Sequence, residues 1–461
     1  MDEKKLWIHF VLGAFAYLIL IWSYREVPFF WDTIQFAGKH GLWYFEQGLF
    51  SGYLPPELNS GHPPSFGIYQ AALWKLLGKS LTISHFSLLP FLWLNLYYSL
   101  RLGRKILGQQ GWLFAVAFAM CPFYLGHSIL VSPDLILVTG FLMTLYGCLS
   151  HQKVSIIVGS LLLALISIRG QMMLGVLILF YLSITTEQTE FGQKVKSAMR
   201  LFGLGVGLAI IFHFLQHATT DWEGLEASPW AASFEYVSWR GWIRQLGIFG
   251  WRVLDYGMVV PVGIILLGLK SIWKAHPKLL LLSMLITLVL VIVLTPRVGL
   301  MNHRYFLPLQ IIVLLMATWL ISRQWKNGLK GKVLAALLLL SMVFGNRLIY
   351  PDTVAQGWDS TAAHWPIYGM EQEMYTYITE RGLPLQTIGT AFPYRSDRGF
   401  ATLNEARGGY KQFDLDTDQY ILYSNIMNEF RDEDLLYLKK NYKVLKRIER
   451  AGLHLSLYQK G

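Results

Sequence analysis

Eleven apolar runs of roughly membrane-spanning length dominate the chain. Runs of about 18 or more apolar residues are long enough to cross a hydrocarbon core of about 30 Å. The pattern therefore predicts a polytopic α-helical membrane protein, since a membrane β-barrel would show short alternating segments of about ten residues instead. The predicted spans are 6–23, 81–100, 112–128, 132–150, 154–168, 171–185, 201–217, 254–270, 279–295, 306–322 and 333–349.

The basic residues of the short loops predict the orientation. If the eleven spans alternate, these Lys and Arg residues all fall on one side, which the positive-inside rule assigns to the cytoplasm. The N-terminus then lies inside, and the residues after the last span lie outside. The set is Lys4, Lys5, Arg101, Arg104, Lys105, Lys153, Lys194, Lys196, Arg200, Lys270, Lys274, Lys278, Arg323, Lys326, Lys330 and Lys332.

Three outer loops carry most of the polar residues between spans. The first, 24–80, contains two amphipathic stretches, Thr33–Phe50 and Ser65–Leu77, which are typical of helices lying in the membrane interface. The second, 218–253, is predicted as a loop rich in tryptophan (Trp222, Trp230, Trp239, Trp242 and Trp251). The third, 296–305, is short.

From about residue 350 the composition becomes that of a soluble domain. We therefore predict two domains: a transmembrane domain, 1–349, with interfacial helices in 24–80, and an α/β domain, 350–461, on the outer face. The predicted elements of the second domain are helices at Glu371–Arg381 and Asp432–Tyr442 and strands at Leu385–Phe392, Gln419–Ile426, Tyr442–Ile448 and Leu453–Tyr458.

Composition narrows the class further. The 461 residues are 54% hydrophobic and only 15% charged, with a net charge of +11. The basic residues are scattered through short loops, so nucleic-acid binding is not predicted. Two cysteines, Cys121 and Cys148, lie inside predicted spans and form neither a disulfide framework nor a CxxC metal pattern. The first run lacks a small-residue cleavage site and is interpreted as a retained span.

Two aspartates stand at the outer ends of predicted spans and are the candidate catalytic residues. Asp32 follows the first span, and Asp134 opens the fourth after Ser132 and Pro133. A carboxylate at the interface can act as general base toward a hydroxyl or amine acceptor. Each aspartate has a plainer alternative as a helix N-cap, or as a solvated loop acid for Asp32.

Six further residues on the same predicted side are candidates for substrate binding: His62, Arg169, Gln171, His303, Arg304 and Tyr305. The histidine precedes Pro63 and Pro64 at the start of an interfacial helix, whose N-terminus favours anions. The arginines are suited to a phosphate headgroup. The alternatives are an unremarkable surface histidine, a polar hairpin tip at 169–171, and an interfacial anchor at 303–305.

These segments resemble the GT-C superfamily of integral membrane glycosyltransferases, in particular bacterial relatives of the protein O-mannosyltransferases and the aminoarabinose transferases. The resemblance covers roughly residues 1–320. The matching pieces are Trp31-Asp32, His62-Pro63-Pro64-Ser65-Phe66, Leu73 through Gly78, Ser132-Pro133-Asp134-Leu135, the Arg169 turn, and Arg304-Tyr305-Phe306-Leu307-Pro308.

The resemblance implies transfer of a sugar from a polyprenyl-phosphate donor to a glycan, lipid or protein acceptor, outside a bacterial cytoplasmic membrane. Asp32 would be the catalytic base or an acceptor-orienting carboxylate, and Asp134 a second active-site acid, and we expect both to line one cavity. His62 would contact phosphate where relatives often have lysine, which makes binding pH-dependent. Relatives often have a second acid directly after the first, where this chain has Thr33. The resemblance therefore leaves open whether the protein uses a divalent metal cofactor.

Two rival functions remain at this point. A transporter or lipid flippase of cell-envelope precursors would show inverted repeats and broken helices near the bilayer midplane. A non-catalytic assembly protein would keep Asp32 and Asp134 far apart and facing solvent.

Overall fold

The computed structural model describes residues 2–185, 190–219, 231–325, 328–404 and 408–461. Most of the described residues up to 345 are helical, and a small mixed sheet follows them in the chain. The helices of the first part are α1 Glu3–Tyr24, α2 His40–Gln47, α3 Ser65–Leu77, α4 Leu81–Phe86, α5 Leu89–Leu107, α6 Gly111–Ala119, α7 Pro122–Leu125, α8 Asp134–Ser150, α9 Lys153–Ile166, α10 Ile168–Ile184, α11 Phe191–Thr219, α12 Trp239–Leu254, α13 Val259–Ala275, α14 Pro277–Leu294, α15 Leu307–Trp325 and α16 Leu329–Gly345.

Every predicted apolar run coincides with a helix or a broken helix, which confirms the prediction of a polytopic helical membrane protein. Among the described residues, four helices are individually long and apolar enough to cross a membrane, or up to six if each of two bent pairs counts as one span. Helices α8, α9 and α10 are apolar but shorter. The count of eleven spans therefore stays a prediction.

Small residues allow the helices of the first part to pack closely. In the α8–α9 pair, a Cβ added to Gly140 would lie 2.9 Å from the Gly159 carbonyl oxygen. Such contacts are the usual means by which helices associate in a membrane, where lipid is as apolar as leucine. One residue, Ser167, separates α9 from α10, and its hydroxyl accepts a hydrogen bond from Gly170 N at 3.1 Å. These tight connections bring the first turns of α8 and α10 to the same end of the bundle.

The first outer segment is helical where the amphipathic pattern predicted it. A π-helix, Ile34–Lys39, runs directly into α2, and α3 packs on α2. Gly41 faces the Trp74 ring, and a Cβ there would lie 2.7 Å from Trp74 Cη2. The two helical stretches are thus confirmed, while their position in the membrane interface stays a prediction.

The tryptophan-rich segment corrects the prediction of a loop at 218–253. Residues 239–254 form α12, whose start is capped by Ser238, with the hydroxyl accepting from Gly241 N at 3.2 Å. The α12 axis bends by 93° into α13. Tyr256 (φ 49°) and Gly257 (φ 84°) occupy the left-handed region at that bend. Trp222 and Trp230 lie outside the described residues.

The C-terminal part is an α/β unit, as predicted. Its helices are α17 Ile367–Glu380, α18 Arg398–Thr402 and α19 Asp432–Asn441, and its strands are β1 Ile388–Thr390, β2 Lys411–Gln412, β3 Tyr420–Ser424, β4 Tyr442–Arg450 and β5 Leu453–Lys460. The strand order is β2-β1-β3-β5-β4. Strand β1 is parallel to both of its neighbours, and the other pairs are antiparallel. Strand β2 was missed because two residues carry no alternating pattern.

The C-terminal part packs directly on the segment that carries Asp32. Phe29 N donates to the Ala401 carbonyl at 2.8 Å. The Phe30 ring stacks on the His364 ring with centroids 4.9 Å apart, and Trp31 meets Phe392 edge-on at 4.8 Å. These contacts cross the predicted boundary at residue 350, so the two predicted domains share an interface at the candidate site.

Candidate active site

Arg304 occupies the centre of the site. It lies in the 3-10 turn His303–Phe306 just before α15, and Asn302 caps this turn by accepting from Arg304 N at 3.2 Å. The side chain is only 6% exposed. One terminal nitrogen donates to Asp359 Oδ2 at 2.8 Å, and the other donates to Asp32 Oδ2. A buried guanidinium is tolerated because carboxylates accept its hydrogen bonds.

Asp32 is the more accessible of the two predicted catalytic acids, with 18% of its side chain exposed. The preceding residue, Trp31, has φ 56°, a conformation that bulky residues rarely adopt. Its ring is held by Phe392, and the Asp32 carbonyl accepts from Gln35 N at 3.1 Å at the start of the π-helix. The carboxylate of Asp32 is used by Arg304, so the N-cap alternative does not describe it.

Asp134 forms a second ion pair close by. Arg169 donates to Asp134 Oδ1 at 2.6 Å, which joins the first turn of α10 to the first turn of α8. Asp134 Oδ2 lies 3.6 Å from His127 Nε2, and neither of these two buried atoms has a hydrogen-bond partner among the described residues. The Asp134 side chain is 2% exposed. Its carboxylate therefore holds Arg169 rather than capping a helix.

Tyr305 links the two ion pairs. The guanidinium of Arg169 lies 4.6 Å from the centroid of the Tyr305 ring, and that of Arg304 lies 5.4 Å from it. A cation over an aromatic face is attracted by the ring quadrupole. The chain Asp134–Arg169–Tyr305–Arg304–Asp32 is thus continuous, which contradicts the assembly-protein alternative of two distant, solvated acids.

A cavity of about 310 Å³ opens beside this chain. Its polar lining residues include His62, Arg169, Tyr305 and Arg297, and its apolar wall includes Ile292 of α14, which is 61% exposed on the outside of the bundle. Arg169, the partner of Asp134, lines this cavity, but neither Asp32 nor Asp134 does. This contradicts the prediction that both aspartates line the same cavity.

His62 lines this cavity, and its contact with a phosphate stays a prediction. Its Nδ1 accepts from Ile168 N at 3.4 Å, and its ring packs against Phe36. Burial, together with the positive charges of Arg169 and Arg304, lowers the pKa of His62 to about 3. The prediction of a histidine that titrates near neutrality is wrong for this reason: the ring is neutral at pH 7.

His303 lies in a neighbouring network rather than in the cavity. It is fully buried, and its Nε2 donates to Asp255 Oδ2 at 2.7 Å. The same carboxylate oxygen accepts from Trp251 Nε1 at 3.1 Å and from the Tyr350 hydroxyl. Because His303 and Arg304 are adjacent, this network fixes the turn that presents Arg304.

Gln171, like His303, makes its contacts away from the ion pairs around Tyr305. Its Nε2 donates to the Ala164 carbonyl at 2.9 Å, and its Oε1 contacts His213 Nε2 of α11 at 2.7 Å. On an α-helix, residues two apart point about 200° away from each other. Arg169 and Gln171 therefore serve different neighbours.

Asp359 is the site residue that the sequence did not indicate. It lies in the 3-10 turn Trp358–Ser360 of the C-terminal part, it is 1% exposed, and it accepts from both Arg304 and Asn302. Burial raises the pKa of Asp359, but Arg304, His127 and the hydrogen bond from Asn302 together outweigh this effect, so the net shift is downward. A weak signal was present, because an acid inside an apolar Trp-Asp-Ser turn needs a partner.

Within the described parts of the chain, no group of three or more His, Cys, Asp or Glu side chains is placed to hold a metal ion.

The fold and the site together define a multi-pass membrane protein with its charged groups at one end of a helix bundle. No protein-family model matches the chain, and no curated protein sequence matches it. Two solved structures share the fold. ArnT from Cupriavidus metallidurans bound to undecaprenyl phosphate is 11% identical with a TM-score of 0.54, and its apo structure is 12% identical with a TM-score of 0.55. Each comparison covers 99% of this chain and 98% of the other. The chain therefore shares the overall fold of these ArnT structures over nearly its whole length.

Proposed function

We propose that the protein is a glycosyltransferase that moves a sugar from a polyprenyl-phosphate donor to a glycan, lipid or protein acceptor. The observation that carries the proposal is the chain of two acids and two arginines around Tyr305, next to a cavity with an apolar wall. The shared fold supports it, since the neighbouring ArnT structure is bound to undecaprenyl phosphate. We place the reaction at the outer face of a bacterial cytoplasmic membrane, with the N-terminus inside.

The chemistry follows from the positions of the charges. The bond between the sugar C1 and the phosphate oxygen breaks, and a bond from the acceptor oxygen or nitrogen to C1 forms. The acceptor proton passes to the Asp32 carboxylate, whose Oδ1 has no hydrogen bond among the described residues. The leaving group is polyprenyl phosphate, and Arg169, with Arg304 behind it, stabilises the negative charge that develops there.

The wall of the cavity suits a polyprenyl chain. Ile292, Val293 and Leu294 at the end of α14 and Met172 of α10 line it, and Ile292 also faces outward. A lipid-linked donor would keep its chain beside these residues and its phosphate at Arg169. Aromatic rings at the same cavity, Phe234, Tyr236 and Tyr305, offer faces for a sugar.

The transporter alternative requires charged groups along the middle of the helices. The ion pairs that surround Tyr305 instead use residues at the first turns of α8 and α10 and just before α15. This distribution favours chemistry at one surface over passage through the bundle.

The test is sugar transfer by the full-length protein in lipid nanodiscs supplied with a panel of polyprenyl-phosphate sugars. Release of free polyprenyl phosphate is the readout. We expect Asp32→Asn to abolish release while Asp416→Asn, at an exposed acid of the C-terminal part, keeps it. Wild-type release by the Asp32→Asn protein would remove Asp32 from the mechanism, and an inactive wild type with every donor would count against the transferase.

A further inference from the structure

A second and larger cavity, of about 790 Å³, lies where three helix ends meet the C-terminal part. Tyr24 of α1, Met120 between α6 and α7, and Arg347 just after α16 contribute to it, together with Trp365 and Ala451 of the C-terminal part. None of its lining residues belongs to the chain of ion pairs around Tyr305. The cavity is therefore a separate feature of the fold.

Two unused donors face this cavity. Arg347 is exposed and makes no side-chain ion pair or hydrogen bond with any residue that the structure describes. Trp365 Nε1 is shielded from solvent and likewise finds no acceptor in the described chain. The neighbouring Asn346 is already occupied, because its Nδ2 donates to the Met120 and Met342 carbonyls at 2.9 Å. The Arg347 guanidinium and the Trp365 N–H, which have no acceptors among the described residues, could both donate to an anionic group with several oxygens.

The rest of the lining is apolar and continues along the outside of the bundle. Val343 lines the cavity and is 38% exposed. On the same helix, Leu340 and Phe344 are 52% and 71% exposed and present apolar surface beside it. A ligand that pairs with the Arg347 and Trp365 donors and also covers this apolar surface has an anionic head and a hydrocarbon chain. The rings of Tyr24 and Trp365 lie 5.0 Å apart in the same lining, and such aromatic residues are common at a membrane interface.

We propose that this cavity binds an anionic phospholipid from the leaflet next to the C-terminal part. The phosphate accepts from Arg347 and Trp365 Nε1, and one acyl chain lies along Val343 and the exposed side of α16. Basic pockets between membrane helices recognise anionic headgroups by the same combination of charge and apolar contact. The site is independent of the proposed sugar transfer.

The test is lipid binding by the full-length protein in detergent, measured by native mass spectrometry. Dioleoyl phosphatidylglycerol, which carries a net negative charge, is titrated against dioleoyl phosphatidylcholine, which has the same chains and the same phosphate but is zwitterionic. We expect the first phosphatidylglycerol to bind more tightly than phosphatidylcholine. Arg347→Gln should weaken phosphatidylglycerol binding about tenfold, the effect of losing one charge-assisted hydrogen bond.

Three further variants make the result specific. Trp365→Phe keeps the ring but removes the N–H, and should weaken the binding of both lipids, because the phosphate that accepts from Nε1 is present in each. Val343→Trp fills the cavity and should weaken both. Arg240→Gln, at an exposed arginine of α12, should bind as the wild type does. Unchanged phosphatidylglycerol binding in Arg347→Gln and Val343→Trp would overturn the proposal, as would an equal loss in Arg240→Gln.

Discussion

Arg304 and Asp359 stand 55 residues apart in the chain and meet at 2.8 Å between buried side chains. The arginine precedes the fifteenth helix, and the aspartate lies in the C-terminal part. This pair ties the C-terminal part to the site of the proposed reaction, since the same guanidinium also donates to Asp32.

Replacing Asp359 tests that link. Asp359→Ala should lower the free energy of unfolding by about 3–5 kcal/mol, the cost of leaving a buried charge without one of its partners. Sugar transfer should fall with it, because Arg304 loses one of the two carboxylates that position it. Thermal unfolding of the purified protein measures the first effect. Asp416→Ala, at an exposed position, is the matched control. Equal unfolding temperatures for both variants would contradict the buried pair.

The Tyr305 ring, rather than its hydroxyl, should matter for donor binding. Tyr305→Phe keeps the face that lies under Arg169 and Arg304, so we expect near-wild-type transfer. Tyr305→Ala removes it and should raise the KM for the lipid-linked donor by about 3- to 30-fold, as expected from a partly shielded cation–π contact. Steady-state kinetics of the two variants decide between the ring and the hydroxyl. A Phe variant as defective as the Ala variant would assign the role to the hydroxyl.

His62 predicts a pH dependence of stability. Its pKa is about 3 in the folded protein and near 6.5 when unfolded, so the unfolded chain binds more protons between these values. Stability therefore rises with pH through this window and is lost as the pH falls below 6.5. His62→Asn should flatten the loss of unfolding temperature between pH 7 and pH 5. His40, His303 and His364, whose pKa values are lowered to about 4 chiefly by burial, add to this slope. An unchanged slope would show that His62 is not shielded as described.

Asp255 should act on the proposed reaction through His303. Asp255→Asn keeps the shape but replaces the carboxylate that accepts from His303 and the Tyr350 hydroxyl. We expect a loss of about 1–3 kcal/mol in the free energy of unfolding, since a buried donor is left poorly paired. The kcat should fall while the donor KM changes little, because Asp255 does not line the donor cavity. A change confined to KM would contradict this positioning role.

The apolar runs predicted the helices of the first part, and a few polar residues predicted most of the side chains that meet at the candidate site. Each run from 6–23 to 333–349 became a helix because its length and composition leave few other structures in a membrane. Asp32, Asp134, Arg169, Arg304 and Tyr305 came together because each stands at the same end of its span. Their roles in the proposed reaction stay predictions.

The features that the sequence did not predict depend on tertiary contacts, which leave no periodic pattern in the sequence. Asp359 lies in a short turn outside any regular element, so only the fold shows that it reaches Arg304. Gln171 appeared to share a hairpin tip with Arg169, but the helix begins at residue 168 and turns the two side chains apart. The pKa of His62 was misjudged because burial, rather than residue type, sets it.

The triad formed by Asp32, Arg304 and Asp359 can form only after all three residues have been synthesised, so it is completed late in translation. Asp32 leaves the ribosome 272 residues before its arginine, and the arginine leaves it 55 residues before the second aspartate. Helices can insert one after another during synthesis, yet the guanidinium acquires both of its carboxylates only when translation has passed residue 359. A nascent polypeptide that stops at residue 349 would therefore lack the Asp359 carboxylate, and we expect the proposed sugar transfer to require the C-terminal part.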